Sequence, residues 1–489
     1  MSFISPIFLI FFLPISLLIY LNIKDEYKNI LLLFLSLIFY FWCGLNFLIL
    51  ILISSTVVYL TAYLISKTEN TALKRFIVIL SILYSLLVLI YYKYLVSIIG
   101  NTDIPFLKII SINYNNELIL PLGISFYTFS IISYILDIYW GKCNFQKNII
   151  NSYLYILFFP KITQGPIMRY SDFEEQINNR SISSENIIKG CERFMIGMVK
   201  KIIIADPLIP LVNYSFMSQP EVGTITSFIG IFAFLIQLYF DFSGYSDMAI
   251  GIGNMFGIKL PENFNYPYTS KSVTEYWRKW HITLGHWFRD YVYMPIFRYF
   301  STSDISITKN NIIVCDIIAL LVVWILNGIW HGNGLKFLIY GLWWFVFIVY
   351  ERIRDKFRSK IRKKKGLPLK KNSLFENIID YFEVFVAIIF GQVIFNAQSL
   401  DFVKLYFNNL INLNFKDGIK VLMFFDNTVI FSFVFGLIFC FPVYKYIKEY
   451  VNRSIFRKIV YSIILILLFF IAFCYSITDG YNAFLYEIY

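Results

Sequence analysis

Only three histidines occur in the 489 residues, His281, His286 and His331, and all of them fall between residues 275 and 334. Charge is sparse as well: Asp, Glu, Lys and Arg make up 15% of the chain, against 58% hydrophobic and 20% aromatic residues. A soluble globular protein of this length has no use for so much apolar surface, which leaves a polytopic membrane protein as the class. The six cysteines, Cys43, Cys143, Cys191, Cys315, Cys440 and Cys474, form no C-x-x-C pair and have no histidine at ligand spacing. A zinc site and a disulfide framework are both unsupported, and these residues read as small apolar fillers. No phosphate loop or G-x-S-x-G elbow is present, and Gly251, Gly253 and Gly257 miss the dinucleotide spacing. Any covalent serine chemistry would therefore have to come from a partner. There is no internal repeat and no soluble domain.

What the chain does have is a long series of apolar runs. They are expected as spans near residues 4–23, 29–45, 47–66, 76–99, 118–140, 188–211, 224–252, 312–330, 335–350, 375–395, 429–444 and 459–476. The first lacks a basic start and a small-residue cleavage site, so an uncleaved span is expected rather than a secretory signal. Residues 158–173 are too short in their apolar part to span, and Pro160, Gly165 and Pro166 break them, which suggests a re-entrant element. The formal net charge of +12 does not point to nucleic acid, because the basic residues sit in short segments between apolar runs. The most basic of these, residues 352–371, is expected as a loop; it holds eleven Lys or Arg against Asp355 alone. Basic segments stay on the cytoplasmic side. The parity of the spans then puts the N-terminus outside and His331 nearer the outer half.

Two strings carry the polar chemistry, EYWRKWHITLGHWFRDYVYMP (residues 275–295) and NGIWHGNG (residues 327–334). In the second, His331 follows an uncharged run, Ile317 to Trp330, long enough to approach the middle of a bilayer or its far edge, and ionisable groups at such depth are expensive and usually functional. An imidazole is the side chain best suited to take a proton from a hydroxyl near neutral pH. Asn327 and Trp330 stand beside His331, and Gly328, Gly332 and Gly334 allow close approach to the backbone. The competing reading is a helix end capped by Gly334. His281 and His286 are five apart and fall on different faces of a helix, so they do not form a pair. His281, beside Trp280 and the Arg278-Lys279 dipeptide, is suited to meet an anionic donor or a second reacting group; His286 reads as structural or interfacial. Arg278, Lys279, Arg289 and Arg298 admit two readings, contacts to the phosphates of a donor such as coenzyme A or basic anchors at the membrane edge. Asp241 and Asp247 lie in a stretch that reads as a satisfied polar network between helices, with Asp241 also a candidate for donor binding. No metal site is expected.

In order along the chain, the motifs PLGISFYTF, FFPKITQGPIMRY, GMVKKIIIADP, YFDFSGYSDMAIGIGNMFGIKLPENFNYPY, EYWRKWHITLGHWFRDYVYMP and NGIWHG resemble the membrane-bound O-acyltransferase family. They resemble most the bacterial branch that contains the alginate O-acetyltransferase membrane subunit. The resemblance runs from about Pro121 to Glu351. It implies an all-α polytopic fold of eleven to twelve transmembrane helices, some broken or re-entrant, around a central funnel. Residues 118–351 would be the catalytic core of a single membrane domain, with residues 1–100 and 372–489 as flanking helices. By the same resemblance His331 corresponds to the catalytic histidine and His281 to a second one. The activity implied is transfer of an acyl group, usually acetyl, from acetyl-CoA or an acyl-carrier thioester in the cytoplasm to a hydroxyl of an extracytoplasmic glycan. The family often relays it through a serine-hydrolase-like partner outside the membrane, in a bacterial inner membrane; no cofactor is held permanently. D-alanyl transfer from a carrier protein to teichoic acid stands as an alternative, and a transporter or flippase as a second. Two departures from the family stand out. Ile296-Phe297-Arg298-Tyr299 replace a glycine-rich turn, and Trp344 stands where many relatives have a further histidine.

Overall fold

The computed structural model describes residues 1–95, 120–180, 182–217, 222–303, 305, 311–366, 373–413, 415, 417–478 and 482–485. The ends of the expected runs at 76–99 and 118–140 and the last part of the basic segment lie outside the described residues. Among the described residues all regular secondary structure is helical, and the chain is an all-α polytopic membrane protein. Among the described residues six helices are long and apolar enough to cross a bilayer, and one bent pair raises this to as many as seven. Shorter apolar helices lie at Phe8–Asn22 and Ile124–Tyr139. Other expected spans turn out to be interrupted. The run at 188–211 changes its winding along its length: an α-helix at Ser184–Val199, a π-helical stretch at Lys200–Ala205, a 3-10 turn at Asp206–Leu208 and an α-helix at Ile209–Met217. The run at 429–444 breaks before Pro442, where Asn427–Phe439 and Val443–Val451 meet at 81°; a proline cannot donate to the preceding turn.

One compact unit comprises Met1–Val199, Gly244–Glu262 and Ile463–Tyr489. Its helices are α1 (Leu13–Asn22), α2 (Lys28–Phe41), α3 (Leu45–Lys67), α4 (Thr71–Ile90), α5 (Ile124–Tyr139), α6 (Ile149–Leu157), α7 (Phe159–Ile162), α8 (Tyr170–Asn179) and α9 (Ser184–Val199). The segment expected to be re-entrant is four helical residues, α7, followed by a turn, and residues 158–168 are buried throughout. Its tightness depends on glycine: at Gly123, whose φ is +74°, a Cβ would fall 2.0 Å from the Ile162 carbonyl oxygen. In the same unit α9 lies backbone to backbone on the chain beyond Gly244. A Cβ on Gly197 would sit 2.5 Å from the Gly244 oxygen, and one on Gly190 2.6 Å from the Gly251 oxygen, the close approach that small residues permit between membrane helices. Arg193, between those glycines, pairs with Asp247 and Glu262, each at 2.7 Å.

The other unit comprises Lys200–Ser243 and Asn263–Ser462. It holds α10 (Ile209–Met217), the first part of α11 (Thr224–Met255), α12 (Val273–Lys279), α13 (Ile282–Phe288), α14 (Met294–Thr302), α15 (Ile312–His331), α16 (Leu335–Lys364), α17 (Leu374–Asn396), α18 (Leu400–Ile411), α19 (Gly418–Leu422), α20 (Asn427–Phe439), α21 (Val443–Val451) and the start of α22 (Ile455–Thr478). Helices α15 and α16 form an antiparallel hairpin whose backbones nearly touch. A Cβ on Gly341 would lie 2.1 Å from the Trp324 carbonyl oxygen, and one on Gly328 2.4 Å from that of Phe337.

The basic segment expected as a loop from residue 352 instead continues α16 as far as Lys364. The reason is a ladder of ion pairs to α17. Arg354 meets Glu383 and, at 3.3 Å, Asp380; Arg358 meets Asp380 at 2.8 Å; Arg362 meets Glu376 at 2.6 Å. Residues four apart stack on one helical face, so Arg354, Arg358 and Arg362 present a single row to the acidic row opposite. Ser373 and Glu376 close a capping box at the start of α17, which holds that row in place. On α11, Asp241 pairs at 2.7 Å with the buried Lys201, which also meets Asp206 at 2.8 Å.

The hairpin contact can be tested by adding one methyl group. Gly341→Ala should destabilise the protein by about 1–3 kcal/mol through overpacking, read as a lower thermal midpoint in detergent. Gly285→Ala, whose added Cβ meets only the Trp277 carbonyl oxygen at 3.5 Å, should leave it within about 0.5 kcal/mol.

Candidate active site

The site is built in the second unit from three pieces of chain that are far apart in sequence. Helix α12 starts at Ser272, whose hydroxyl accepts from the Glu275 N–H at 3.0 Å. Its first turn is held to α16 by Glu351, whose carboxylate accepts from the Thr274 N–H at 3.0 Å and its hydroxyl at 3.1 Å. A carboxylate at a helix N-terminus also meets the positive end of the helix dipole. Tyr276 on this helix is buried and stacks at 5.9 Å on Trp280 and at 5.5 Å on Trp344. Trp344 therefore fills the packing between α12 and α16, and its indole also meets Trp277 edge-on at 5.0 Å.

The chain then reverses at His281, whose φ of +46° is left-handed, before α13 begins. Asn263 fixes this corner. Its carbonyl oxygen accepts the Ile282 N–H at 3.0 Å. Its side-chain oxygen accepts the Thr283 N–H at 3.3 Å, the Thr283 hydroxyl at 2.8 Å and His281 Nδ1 at 3.1 Å. A backbone N–H only donates, so the Asn263 atom it reaches is the oxygen, and His281 Nδ1 carries the proton. The neutral ring thus keeps its lone pair on Nε2. Burial pushes the His281 imidazole down from its ordinary value of 6.5 to about 3. Burial thus favours the neutral ring, with Nε2 as an acceptor.

His281 packs edge-on against Phe242 at 4.8 Å and lies 6.4 Å from the Trp330 ring. That indole stands 4.6 Å from the ring of His331, so Trp330 neighbours both histidines. His331 is the last residue of α15 and is buried, with Tyr340 at 5.3 Å and Phe395 at 5.2 Å, both edge-on. Lys336 secures this wall: its ammonium donates to the carbonyl oxygens of Phe395 at 3.1 Å and Ala397 at 2.6 Å at the end of α17. Asn327, one turn before His331, is also buried, and its side-chain oxygen accepts no hydrogen bond among the described residues. Gly332 follows because a Cβ there would meet the Phe337 ring at 2.3 Å.

The structure thus gathers His281, Trp330, His331 and Asn327 and leaves the remaining candidates elsewhere. His286 is exposed on α13, and Arg278 and Arg298 are exposed. Lys279 pairs with Glu275 at 2.7 Å, Arg289 with Asp290 at 2.8 Å, and Asp241 with Lys201. Sequence reasoning passed over Asn263, Tyr340, Phe395 and Glu351. Asn263 lies inside the PENFNYPY motif, and an asparagine in a rigid proline- and aromatic-rich turn was the available signal. Among the described residues no cluster of three or more His, Cys, Asp or Glu is disposed to hold a metal ion.

Two buried imidazoles thus stand beside one indole in a helical membrane protein. The chain belongs to the membrane-bound O-acyltransferase family, whose sequence model matches residues 145–397. It is 36% identical to the probable alginate O-acetylase AlgI of Azotobacter vinelandii over 82% of this chain and 76% of that protein. It is 32% identical to the peptidoglycan O-acetyltransferase of Helicobacter pylori over 69% and 68% of the two chains. With the teichoic acid D-alanyltransferase of Bacillus subtilis it shares 32% identity over 58% and 70%. The protein is a membrane-bound acyltransferase, and the transporter reading of its intramembrane charges falls away.

The state of His281 has a consequence for stability. Its folded value near 3 lies below that of the unfolded chain, so the unfolded chain binds a proton that the folded protein refuses between those limits. The stabilisation is complete above about pH 6.5 and is lost as pH falls toward about 3. Thermal midpoints in detergent should therefore drop between pH 7 and pH 4.5, and less steeply in His281→Asn; equal slopes would remove His281 from the account.

Proposed function

We propose that the protein transfers an acetyl group from a cytoplasmic thioester, acetyl-CoA or an acyl-carrier thioester, to a hydroxyl on the outer side of a bacterial inner membrane. The acceptor is a cell-surface polysaccharide or cell-wall glycan, reached directly or through an extracytoplasmic serine-hydrolase-like partner. His331 acts as general base. It takes the proton of the acceptor hydroxyl as that oxygen forms a bond to the acyl carbon; the carbon–sulfur bond breaks, and the thiolate leaves and receives a proton. His281, neutral and held by Asn263, lines the route from the donor. Asn327 and Trp330 shape the acceptor side of the same enclosure.

The observation that carries this reading is the position of His331. It is a buried imidazole at the opposite end of the twenty-residue α15 from the start of the hairpin's basic end. Twenty helical residues span about 30 Å, the thickness of the hydrocarbon core, and basic segments remain in the cytoplasm. A histidine so placed meets a hydroxyl from outside. The relatives' names support an ester-forming activity, since that of Azotobacter vinelandii is called an alginate O-acetylase and that of Helicobacter pylori a peptidoglycan O-acetyltransferase.

The test is ester-linked acetate on isolated cell-surface glycan, in a deletion strain complemented with the wild type or a variant at matched membrane levels. His331→Ala should reduce transfer by about a hundredfold to ten-thousandfold, while His286→Ala should keep it within about twofold, far below that range. A deletion strain that keeps its acetate and loses D-alanine esters instead would change the acyl group and leave the site. Full activity in His331→Ala would sink the general-base role.

A further inference from the structure

We propose that the basic end of the α15–α16 hairpin holds an anionic phospholipid in a defined groove. The groove, of about 260 Å³, is lined by Ile313, Asp316 and Ile317 of α15 and by Val349, Arg352, Ile353 and Lys356 of α16. Both stripes have helical spacing, i, i+3, i+4 on α15 and i, i+3, i+4, i+7 on α16, so each helix turns one continuous face into it. The walls are isoleucine and valine, and the open end is cationic. That is the chemistry of an acyl chain with a phosphate at its head.

The charges single out this face of α16. The neighbouring face spends Arg354, Arg358 and Arg362 on the acids of α17. In the groove, Arg352 is matched by Asp316, which also accepts from the Tyr293 hydroxyl. Lys356 is exposed and has no carboxylate partner among the described residues. Lys360 and Lys363 continue the same stripe one and two turns further and are also exposed. The groove therefore begins apolar inside the bilayer and ends on uncompensated ammonium groups where α16 leaves it. Basic pockets between membrane helices on the cytoplasmic side are where anionic headgroups bind. A free phosphate would have no use for the four aliphatic walls. The proposal is independent of the catalytic role of His331.

Binding is read by native mass spectrometry of the full chain in detergent, titrated with dioleoyl-phosphatidylglycerol or dioleoyl-phosphatidylcholine. The wild type should retain the anionic lipid preferentially. Lys356→Gln should weaken it about fivefold, the equivalent of about 1 kcal/mol for one lysine at an anionic surface. Ile353→Trp fills the groove while leaving every charge in place, and should abolish the preference. Both variants are checked for wild-type elution and thermal midpoint, and Ile313→Trp replaces Ile353→Trp if the latter misfolds. Retention unchanged in the folded groove-filling variant would mean diffuse surface attraction and overturn the proposal. Displacement of the lipid by millimolar inorganic phosphate or by coenzyme A would overturn it in favour of a phosphate site or a donor site. Failure of glycan acetylation in the same strains would bear on the proposed function alone, because acyl transfer is not read here.

Discussion

A charge drawn into a low-dielectric interior must be matched where it stands, and that requirement organises much of this protein. Lys201 is almost wholly buried and lies between Asp241 and Asp206. In the other unit Arg193 bridges Asp247 and Glu262. Removing Asp241 from beside the buried Lys201 leaves an uncompensated ion at a cost of about 3–5 kcal/mol, whereas the half-exposed Arg193–Glu262 pair contributes about 1 kcal/mol or less. The groups therefore act as fixed joints between segments that hydropathy alone would let slide. The arginine ladder between α16 and α17 does the same at the membrane edge, and it is why a stretch with eleven basic residues begins as a helix.

Much of the architecture was legible in the sequence because apolar length is a strong signal. The helical class, the buried broken element after Phe158 and the place of His331 at the end of a long apolar helix all followed from runs and breaks. Helix continuity was less legible. Hydropathy counts apolar stretches, and it merges across a break such as that before Pro442 or a change of winding such as the π-helical stretch at Lys200–Ala205. It also ends a span where charge begins, although α16 runs on to Lys364. The pairing of Arg358 with Asp380 joins residues twenty-two apart, and no local pattern reveals which of several arginines finds which acid.

The histidine site shows the same division. The residue types were evident, but the residues packed around them were not. Asn263 decides which nitrogen of His281 carries the proton, from eighteen positions upstream. Phe395 reaches His331 from α17, with its carbonyl anchored by Lys336. These are tertiary contacts made by ordinary residue types, so composition gives them no prominence. Conversely, the conspicuous Arg278, Lys279 and Arg289 are exposed or paired with neighbouring acids, which is what basic residues at a membrane edge usually do.

The left-handed backbone at His281 changes what a mutation there can teach. Histidine and asparagine are among the few residues that visit this region readily, while a residue with an ordinary Cβ incurs about 1–2 kcal/mol. An alanine at this corner would remove the ring and at the same time push the chain out of the turn that presents Thr283 to Asn263. Lost activity in such a protein would confound geometry with chemistry. Asparagine keeps the corner and deletes only the imidazole, so the two substitutions compared side by side separate the shape of the site from the atom that works in it.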